Sequence, residues 1–406
     1  MKNPIFKNLL KLLFSILFIQ GGIIFAQEEE ETKEEGYIFT IEKQIKTTSV
    51  KDQFRSGTCW SFSAISFLET ELLRLGKGEY DLSEMFTIWY SYSDKAKKYV
   101  RLHGSLNFGG GGAFSDVINV IRNYGIVPES VYSGKVIGED GHVHGEMDLV
   151  LKNYVDGVIK NKNKKLTPVW HDGLNSLLKT YLGEAPETFT YKGKEYNPKS
   201  YATELGLNLD DYISITSYTH HPFYTKFILE VPDNWSWDKY YNIPLDDMIK
   251  VIDNAINNGY SVAWAGDISE KGFSWKKGVA IIPEKNLKEM SDAEVTKWEQ
   301  LPQKEKDKKL YDFEKPGKEK VITQEIRQEA FNNYQTTDDH GIHITGIAKD
   351  QNGTKYYYVK NSWNISEDKA YKGYFYASVP FIRYKTMDIM VHKDAIPKEI
   401  AKKLGL

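Results

Sequence analysis

The chain has 406 residues, of which 41% are hydrophobic and 14% aromatic, so it can bury a large core as one domain or as two closely packed lobes. Its formal net charge is −3, and a mildly acidic chain does not bind nucleic acid through bulk charge, so we expect no nucleic-acid partner. The chain has a single cysteine, Cys59, which excludes an internal disulfide and leaves one thiol as a candidate reagent.

Residues 1–26 have the order of a cleavable secretory signal peptide. Three lysines precede the apolar run 12–19, and the small residue Ala26 stands directly before a Glu-rich stretch. Residues 27–36 are predicted to be a charged, disordered spacer. An uncleaved membrane anchor is the alternative, but the apolar run is short and no later run is long enough to span a bilayer. We therefore expect an exported protein, periplasmic or secreted, with no stable membrane insertion after removal of the signal.

Three helices are predicted in the first third of the chain. Apolar residues recur at helical spacing over 60–72, directly after Cys59. Residues 81–84 offer capping side chains for a second helix, and a run of four glycines at 109–112 opens a third. These elements predict a helical lobe over about residues 50–135.

The hydrophobic pattern of the rest of the chain changes near residue 140 and again near residue 336. Residues from about 140 to 335 combine helical periodicity, as at 174–182 and 245–258, with short strands, and are predicted to be insertions. Within them, 286–328 is dense in Lys and Glu and is predicted to be a solvated surface segment. From about 336 to 395 the pattern alternates and predicts an antiparallel, β-rich lobe. The predicted fold class is therefore α+β.

Cys59 is predicted to be a nucleophile that is activated by a histidine. A thiol reacts as its thiolate, and a free cysteine has a pKa of about 8.5. The positive end of the helix that Cys59 opens would stabilise the anion, and a histidine from the later strands could accept the proton. The candidates are His340 and His343. The six-residue spacing from His340 to Gly346 favours His340 as the base and leaves His343 a structural or subsite role.

Three further side chains complete the predicted catalytic group. Asn361 would hydrogen-bond the far nitrogen of the histidine ring, and Trp363 would cover that hydrogen bond from water. Gln53 would donate from its amide to the developing oxyanion, together with the backbone N–H of Cys59.

The glycine run and a histidine pair have other possible roles. The glycine run is not a phosphate loop, because no Gly-Lys-Ser/Thr follows it, and it favours close approach of an extended peptide. His220 and His221 could bind a metal, but they lack further ligands at metal-binding spacing. We expect neither a metal nor a cofactor.

These motifs resemble the papain superfamily, and more closely its bleomycin hydrolase and aminopeptidase C branch. Residues 53–62 are similar to the nucleophile motif, 339–342 lie where the family has His-Ala-Met or His-Ala-Val, and 360–363 are similar to the asparagine motif. Residues 182–191 and 259–267 resemble bleomycin hydrolase more than papain.

The resemblance implies a papain-like, two-lobe cysteine peptidase fold over residues 37–406, with a helical lobe, an antiparallel β-rich lobe and helical insertions. It also implies thiol-dependent hydrolysis of peptide substrates without a cofactor. By the same resemblance Gly111 and Gly112 would contact the substrate backbone, and the chain would form a homo-oligomer, often a hexamer in this family.

Three departures from the family pattern leave the mode of action open. Asn364 stands where the family usually has glycine, and the export signal is unusual for a largely cytosolic branch. Residues 400–406 do not resemble the C-terminal tail that restricts family members to the amino end of a substrate. The expected function is therefore an aminopeptidase, with three alternatives: an endopeptidase with an open cleft, a catalytically silent peptide-binding homologue, or an acyl transferase.

Overall fold

The computed structural model describes residues 36–285, 287–365 and 370–406. The predicted signal peptide and all of the predicted spacer except Gly36 lie outside the described residues. Residues Gly36–Leu406 make up one compact unit. No helix in the described ranges combines the length and the apolar character that crossing a membrane requires.

The helices form where the sequence offers apolar periodicity and a capping side chain. The hydroxyl of Ser83 accepts the N–H of Phe86 at 3.0 Å and starts the second helix. The helices are α1 (Cys59–Arg74), α2 (Glu84–Arg101), α3 (Phe114–Tyr124), α4 (Gly145–Ile159), α5 (Val169–Leu182), α6 (Pro198–Leu205), α7 (Leu245–Asn257), α8 (Asp292–Gln300), α9 (Gln303–Leu310), α10 (Gln324–Asn332), α11 (Val379–Lys385) and α12 (Lys398–Leu404). Helices α1, α2 and α3 confirm the three predicted in the first third of the chain.

Most strands join one large, mainly antiparallel sheet. The strands are β1 (Phe39–Gln44), β2 (Phe189–Tyr191), β3 (Lys194–Tyr196), β4 (Tyr212–Thr216), β5 (Lys226–Ile228), β6 (Lys239–Asn242), β7 (Val262–Gly266), β8 (Phe273–Ser274), β9 (Val279–Ala280), β10 (His340–Asp350), β11 (Lys355–Lys360), β12 (Tyr374–Ser378) and β13 (Thr386–His392). Within the described residues the sheet order is β5-β6-β4-β13-β7-β10-β11-β12-β9-β8, with β1 added along β10, and β2 pairs with β3 alone.

Strand β10 lies near the middle of the sheet and carries His340 at its first position. It pairs with β7 so that His340 lies opposite Gly266, and with β11 so that His343 lies opposite Lys360. Its first three residues are therefore fixed by pairing with β7, and from His343 onward it also pairs with β11.

The core divides into two main clusters, one in the helices and one on the sheet. Buried side chains of the helical cluster include Phe67, Leu72, Met85, Phe86, Val117, Leu151 and Leu178. Those on the sheet, where α7 packs, include Met248, Val251, Trp264, Ile344, Val359 and Ile389. Helix α1 packs against β10, and Gly341 near the start of β10 lies close to Trp60 near the start of α1.

The region predicted as insertions contributes strands to the large sheet, and one expectation about it needs correction. Strands β4 to β9 come from this region and join the sheet, where their apolar faces are buried with those of the C-terminal strands. The segment 286–328 is solvated only in part. Helices α8 and α9 bury no side chain, whereas Phe313, Ile322 and the guanidinium of Arg327 are buried.

Candidate active site

The thiol of Cys59 lies at the N-terminus of α1, in close contact with the start of β10. A Cβ on Gly341 would come within 3.0 Å of Trp60 Cα and 2.8 Å of Ser63 Oγ, so the strand approaches the helix this closely only because residue 341 is glycine. The backbone N–H groups of Gly341 and Trp60 lie near the Cys59 thiol and act to lower its pKa. The family that the sequence resembles has alanine at this position, and glycine in this chain permits the close contact with Trp60 and Ser63.

His340 is held by Asn361 in a defined tautomer. The Asn361 Oδ1 atom lies 2.8 Å from His340 Nε2 and also accepts the backbone N–H of Ser362 at 2.9 Å. Since Oδ1 accepts from that backbone N–H, it is an acceptor for the ring as well, and His340 Nε2 carries the hydrogen. The other ring nitrogen, Nδ1, is thereby left unprotonated in the neutral ring. His340 and Asn361 are 6% and 2% exposed, so water does not compete for this hydrogen bond.

The second histidine of the strand lies in another environment. His343 Nδ1 is 3.0 Å from the hydroxyl of Ser66, and its ring packs edge-on against Phe67. It lines a separate cavity with Lys360. The structure therefore brings His340, and not His343, to the cavity that contains Cys59.

Trp363 covers His340 from the solvent side. The two rings have a centroid separation of 4.8 Å, and Trp275 packs edge-on against Trp363 at 5.2 Å. The indole is itself half-buried. This aromatic pair lowers the polarity around the hydrogen bond between His340 and Asn361.

Gln53 is oriented by the residue that follows Asn361. The hydroxyl of Ser362 donates to Gln53 Oε1 at 2.7 Å, and the N–H of Gln53 donates to the carbonyl of Ser362 at 2.9 Å. With Oε1 occupied as an acceptor, the amide nitrogen Nε2 remains as a donor. The N–H of Cys59, in the first turn of α1, has no acceptor within the helix and is a second donor.

The glycine run packs against the nucleophile segment. The indole N–H of Trp60 donates to the carbonyl of Gly110 at 2.9 Å. A Cβ on Gly112 would come within 2.8 Å of the Trp60 ring. The buried ammonium of Lys95 donates to the carbonyls of Gly109, at 3.0 Å, and Gly111. This lysine fixes the run from behind, and the sequence analysis did not identify it.

Cys59 and His340 line one cavity of about 20 Å³, which has room for one water-sized group. Three carboxyl groups line it as well, those of Asp233, Asp338 and Asp388. Burial raises the pKa of Asp388 to about 8 and that of Asp338 well above its usual range. Burial also raises the pKa of Asp233, against the positive charge of Lys95.

In this closed cavity the thiol and the imidazole are both neutral near pH 7. Burial raises the pKa of the Cys59 thiol to about 12, and the charges of Asp233 and Asp338 act in the same direction. Burial lowers the pKa of His340 to about 4, although the hydrogen bond to Asn361 acts against this. Desolvation therefore outweighs the effect of the two nearby backbone N–H groups on the thiol pKa, and it opposes the predicted thiolate in the free state.

The predicted residues reach the cavity in different ways. Cys59, His340 and Gly112 line it directly. Asn361 and Trp363 act on it through the His340 ring. Gly111 borders it through Asp233, a residue of the loop 229–238 between β5 and β6. The sequence analysis missed Asp233, because no motif marks it and it lies far along the chain from Cys59.

Within the described residues, one group of side chains could hold a metal. His220, His221 and Glu230 each offer a ligand atom, and these atoms lie within 4.8 Å of one another. Glu230 is 3.0 Å from Nε2 of each histidine, so hydrogen bonds within the group account for the arrangement. The group lies on the surface and is separate from the cavity of Cys59.

Comparison with known proteins gives a consistent family assignment. A model of the Peptidase C1-like family matches residues 100–306 and 293–405. Aminopeptidase C of Lactobacillus helveticus is 23% identical, with 94% of this chain and 88% of that protein aligned. Aminopeptidase C of Listeria monocytogenes is 24% identical, with 96% and 90% aligned.

A solved structure supports the same fold. The crystal structure of PepW from Lactobacillus rhamnosis superposes with a TM-score of 0.65 at 18% identity, covering 90% of this chain and 84% of that chain. The α+β layout, with the cysteine at a helix start and the histidine on a sheet, agrees with this likeness. The chain therefore belongs to the Peptidase C1-like family and is a papain-like cysteine peptidase similar to aminopeptidase C.

Proposed function

We propose that this protein removes residues from the amino end of peptides through a Cys59–His340–Asn361 triad, with Gln53 as an oxyanion donor. The observation that carries the proposal is the convergence of two elements on one cavity. Helix α1 supplies the thiol, and β10 supplies a histidine whose tautomer is set by Asn361. The names of the aminopeptidase C relatives support the same reaction class.

In acylation, His340 Nδ1 accepts the thiol proton of Cys59 as the sulfur attacks the carbonyl carbon of the scissile bond. The carbonyl oxygen gains the negative charge and accepts hydrogen bonds from Gln53 Nε2 and the backbone N–H of Cys59. The C–N bond then breaks, and His340 gives its proton to the departing amine. The product is a thioester on Cys59 and a shortened peptide.

In deacylation, His340 takes a proton from a water molecule as its oxygen attacks the thioester carbon. The C–S bond breaks, the proton returns to the sulfur, and the carboxylic product leaves. Asn361 keeps the imidazolium in the orientation needed for both transfers, since its Oδ1 holds Nε2–H throughout.

The neutral free state requires that proton transfer accompany substrate binding. The desolvation and the carboxylate charges that raise the thiol pKa act on the empty cavity. A cationic group of the substrate placed near Asp233 or Asp338 would offset those charges and lower the thiol pKa. A free amino terminus is such a group, so substrate and activation are coupled in this proposal.

The loop 229–238 favours an exopeptidase over an endopeptidase with an open cleft. Its Asp233 carboxylate packs against Gly111, which belongs to the glycine run proposed to contact substrate. A long peptide lying along the run would have to pass through this loop. The proposed mode is therefore removal of amino-terminal residues.

The first test uses the mature protein under reducing conditions with an unblocked peptide, and compares Cys59→Ala, His340→Gln and His343→Gln. Loss of general-base catalysis costs about 10²- to 10⁴-fold, so His340→Gln is expected to lose that much kcat. His343→Gln is the matched control, because it changes a buried histidine on the same strand that does not line the Cys59 cavity. Turnover by Cys59→Ala at the wild-type rate would refute the proposal.

A thiol-reactive peptide epoxide distinguishes a peptidase from a catalytically silent homologue. Stoichiometric labelling of Cys59, lost in His340→Gln, is expected for an active site. Absence of both labelling and turnover in the wild type would favour a peptide-binding protein. Products ligated to an added amine nucleophile would instead indicate acyl transfer.

Two further proposals concern location and assembly. Residues 1–26 are proposed to direct export, and amino-terminal sequencing of the protein from cell fractions tests this. A homo-hexamer is proposed from the family resemblance alone. Light scattering on the mature protein tests it, and a monomer would contradict it.

A further inference from the structure

The loop 229–238 places a carboxylate beside the catalytic cysteine. Asp233 lines the cavity of Cys59 and His340 and is half-buried there. A Cβ on Gly111 would overlap both oxygens of this carboxylate, so the side chain lies directly on the glycine backbone. A longer peptide bound along the glycine run would extend over this carboxylate, on the amino side of the residue at the scissile bond.

Side chains of helices α2 and α3 hold the loop 229–238 in place. Lys98 of α2 donates to the carbonyl of Ser236 at 2.7 Å and lies 3.9 Å from the centre of the Trp237 ring. Asn119 of α3 donates to Asp238 at 2.8 Å. These contacts tie the loop to two helices and hold Asp233 in place over the glycine run.

The loop also holds its own shape. The amide of Asn234 donates to the carbonyls of Leu229 and Asp238, both at 3.0 Å, and accepts the N–H of Asp238 at 3.0 Å. Asn234 is 2% exposed, so these bonds are shielded from water. Asp233, the residue before it, is thereby presented from a rigid turn.

The Asp233 carboxylate has capacity for a ligand. The amide of Asn107 donates to its Oδ1 at 3.3 Å, and within the described residues Oδ2 accepts no hydrogen bond. The neighbouring cation, Lys95, is engaged with the carbonyls of Gly109 and Gly111. The cavity therefore presents acidic groups without a cation of its own at its centre.

The size of the cavity restricts what this carboxylate can bind. A volume of about 20 Å³ admits an ammonium group or a water molecule but no complete residue. A positively charged nitrogen is the group that complements a half-buried carboxylate, through charge-assisted hydrogen bonds. In a peptide with only one residue on the amino side of the scissile bond, this nitrogen is the α-amine.

We propose that Asp233 is the residue that determines specificity, by binding the α-ammonium group of the substrate's first residue. The inference rests on the proposed peptidase function and names its substrate class, peptides with a free amino terminus. Of the three carboxyl groups that line the Cys59 cavity, Asp233 is the one that lies directly on the backbone of Gly111. A peptide whose amine is acetylated would carry no charge for Asp233 and would meet the loop sterically.

The test compares three peptides that share one scissile bond. The first has a free α-amine, the second is N-acetylated, and the third is N-acetylated with lysine as the residue before the one at the scissile bond. The variants are Asp233→Asn, which keeps shape and removes charge, and Glu230→Gln. Glu230→Gln is the matched control, since it removes one carboxylate from the same loop at an exposed position beside His220 and His221.

Wild-type protein is expected to cleave the free-amine peptide in strong preference to both acetylated ones. Asp233→Asn should lower kcat/KM for the free-amine peptide by about 10- to 100-fold, the range of a hydrogen bond to a charged group, and leave the N-acetylated peptide unaffected. Glu230→Gln should keep the wild-type ratio. An unchanged ratio in Asp233→Asn overturns the inference, as does Asp233-dependent cleavage of the lysine-containing acetylated peptide, which would identify a side-chain subsite.

A binding measurement separates failure of this inference from failure of the proposed function. Absence of any Cys59-dependent turnover in the wild type would refute the peptidase proposal but not amine recognition. Calorimetry of the free-amine and N-acetylated peptides against Cys59→Ala then measures recognition alone. Adding Asp233→Asn to that background should weaken binding of the free-amine peptide by about 10- to 100-fold and leave the acetylated peptide unchanged. Equal effects on both peptides would overturn the inference.

Discussion

Replacement of Lys95 by methionine should loosen the glycine run and destabilise the helical lobe. The Lys95 side chain is 2% exposed, and its ammonium donates to the carbonyls of Gly109 and Gly111. Its charge also lowers the pKa of Asp116 and of Asp233, against the effect of their burial. Methionine keeps the length of the side chain and removes the charge and the donors.

Removing one member of a buried charge group costs about 3–5 kcal/mol. Burial raises the pKa of Asp116 to about 7, so this carboxyl takes up a proton easily once the lysine is gone, which favours the lower end of that range. With an unfolding entropy of about 2.1 cal/mol/K per residue over roughly 370 residues, a loss of about 3 kcal/mol lowers the Tm by about 4 °C.

Thermal unfolding and kcat/KM for a free-amine peptide measure the two effects. Lys97→Met is the control on the same helix, because within the described residues Lys97 forms only a partly exposed ion pair, with Asp94 at 3.1 Å. Its loss costs about 0.3–0.5 kcal/mol, which is less than 1 °C. A Lys95→Met variant with the Tm and kcat/KM of the wild type would refute the assignment of Lys95 as the support of the glycine run.

Four further predictions concern the triad and its immediate surroundings. Asn361→Ala should lower kcat by about 10²-fold, because a misplaced catalytic group costs that much, and far-UV circular dichroism should show a retained fold; wild-type kcat would contradict the orienting role. Gly341→Val should destabilise by about 1–3 kcal/mol and lower kcat, because its side chain would collide with Trp60; denaturant unfolding measures this, and an unchanged midpoint would contradict the close approach. The alkylation rate of Cys59 by iodoacetamide should rise continuously from pH 6 to about 10, since burial raises the thiol pKa to about 12, and a plateau below pH 7 would instead indicate a preformed ion pair. Burial lowers the folded-state pKa of His340 to about 4, from about 6.5 in the unfolded chain. The free energy of unfolding should therefore fall by about 3 kcal/mol as the pH falls from 6.5 to 4, because the unfolded chain takes up the proton first. Denaturant unfolding at both pH values should show a smaller pH effect in His340→Gln, and an equal effect would contradict this.

The local elements of the helical lobe could be predicted from sequence. Ser83 caps α2 and the glycine run precedes α3, because capping and glycine conformation act between residues that are neighbours in the chain. The start of α1 at Cys59 follows from the apolar periodicity after it. The segment around Ile322 and Arg327 was predicted to be solvated, since charge density alone does not reveal which few side chains pack beneath it.

The sequence by itself determined which chemical groups the site contains. Cys59, His340 and Asn361 stand in motifs whose order and neighbours point to thiol chemistry. The choice of His340 over His343 followed from spacing along one strand. These inferences depend on short-range patterns, which the sequence records directly.

Only the tertiary structure decided how the site is enclosed. The contact of Asp233 with Gly111 joins residues more than a hundred positions apart, and it depends on a loop held by two helices. Burial likewise raises the pKa of Cys59, and Asp233 and Asp338 act in the same direction. Desolvation and charge at a point depend on everything that surrounds it in space, and no local sequence pattern carries that information.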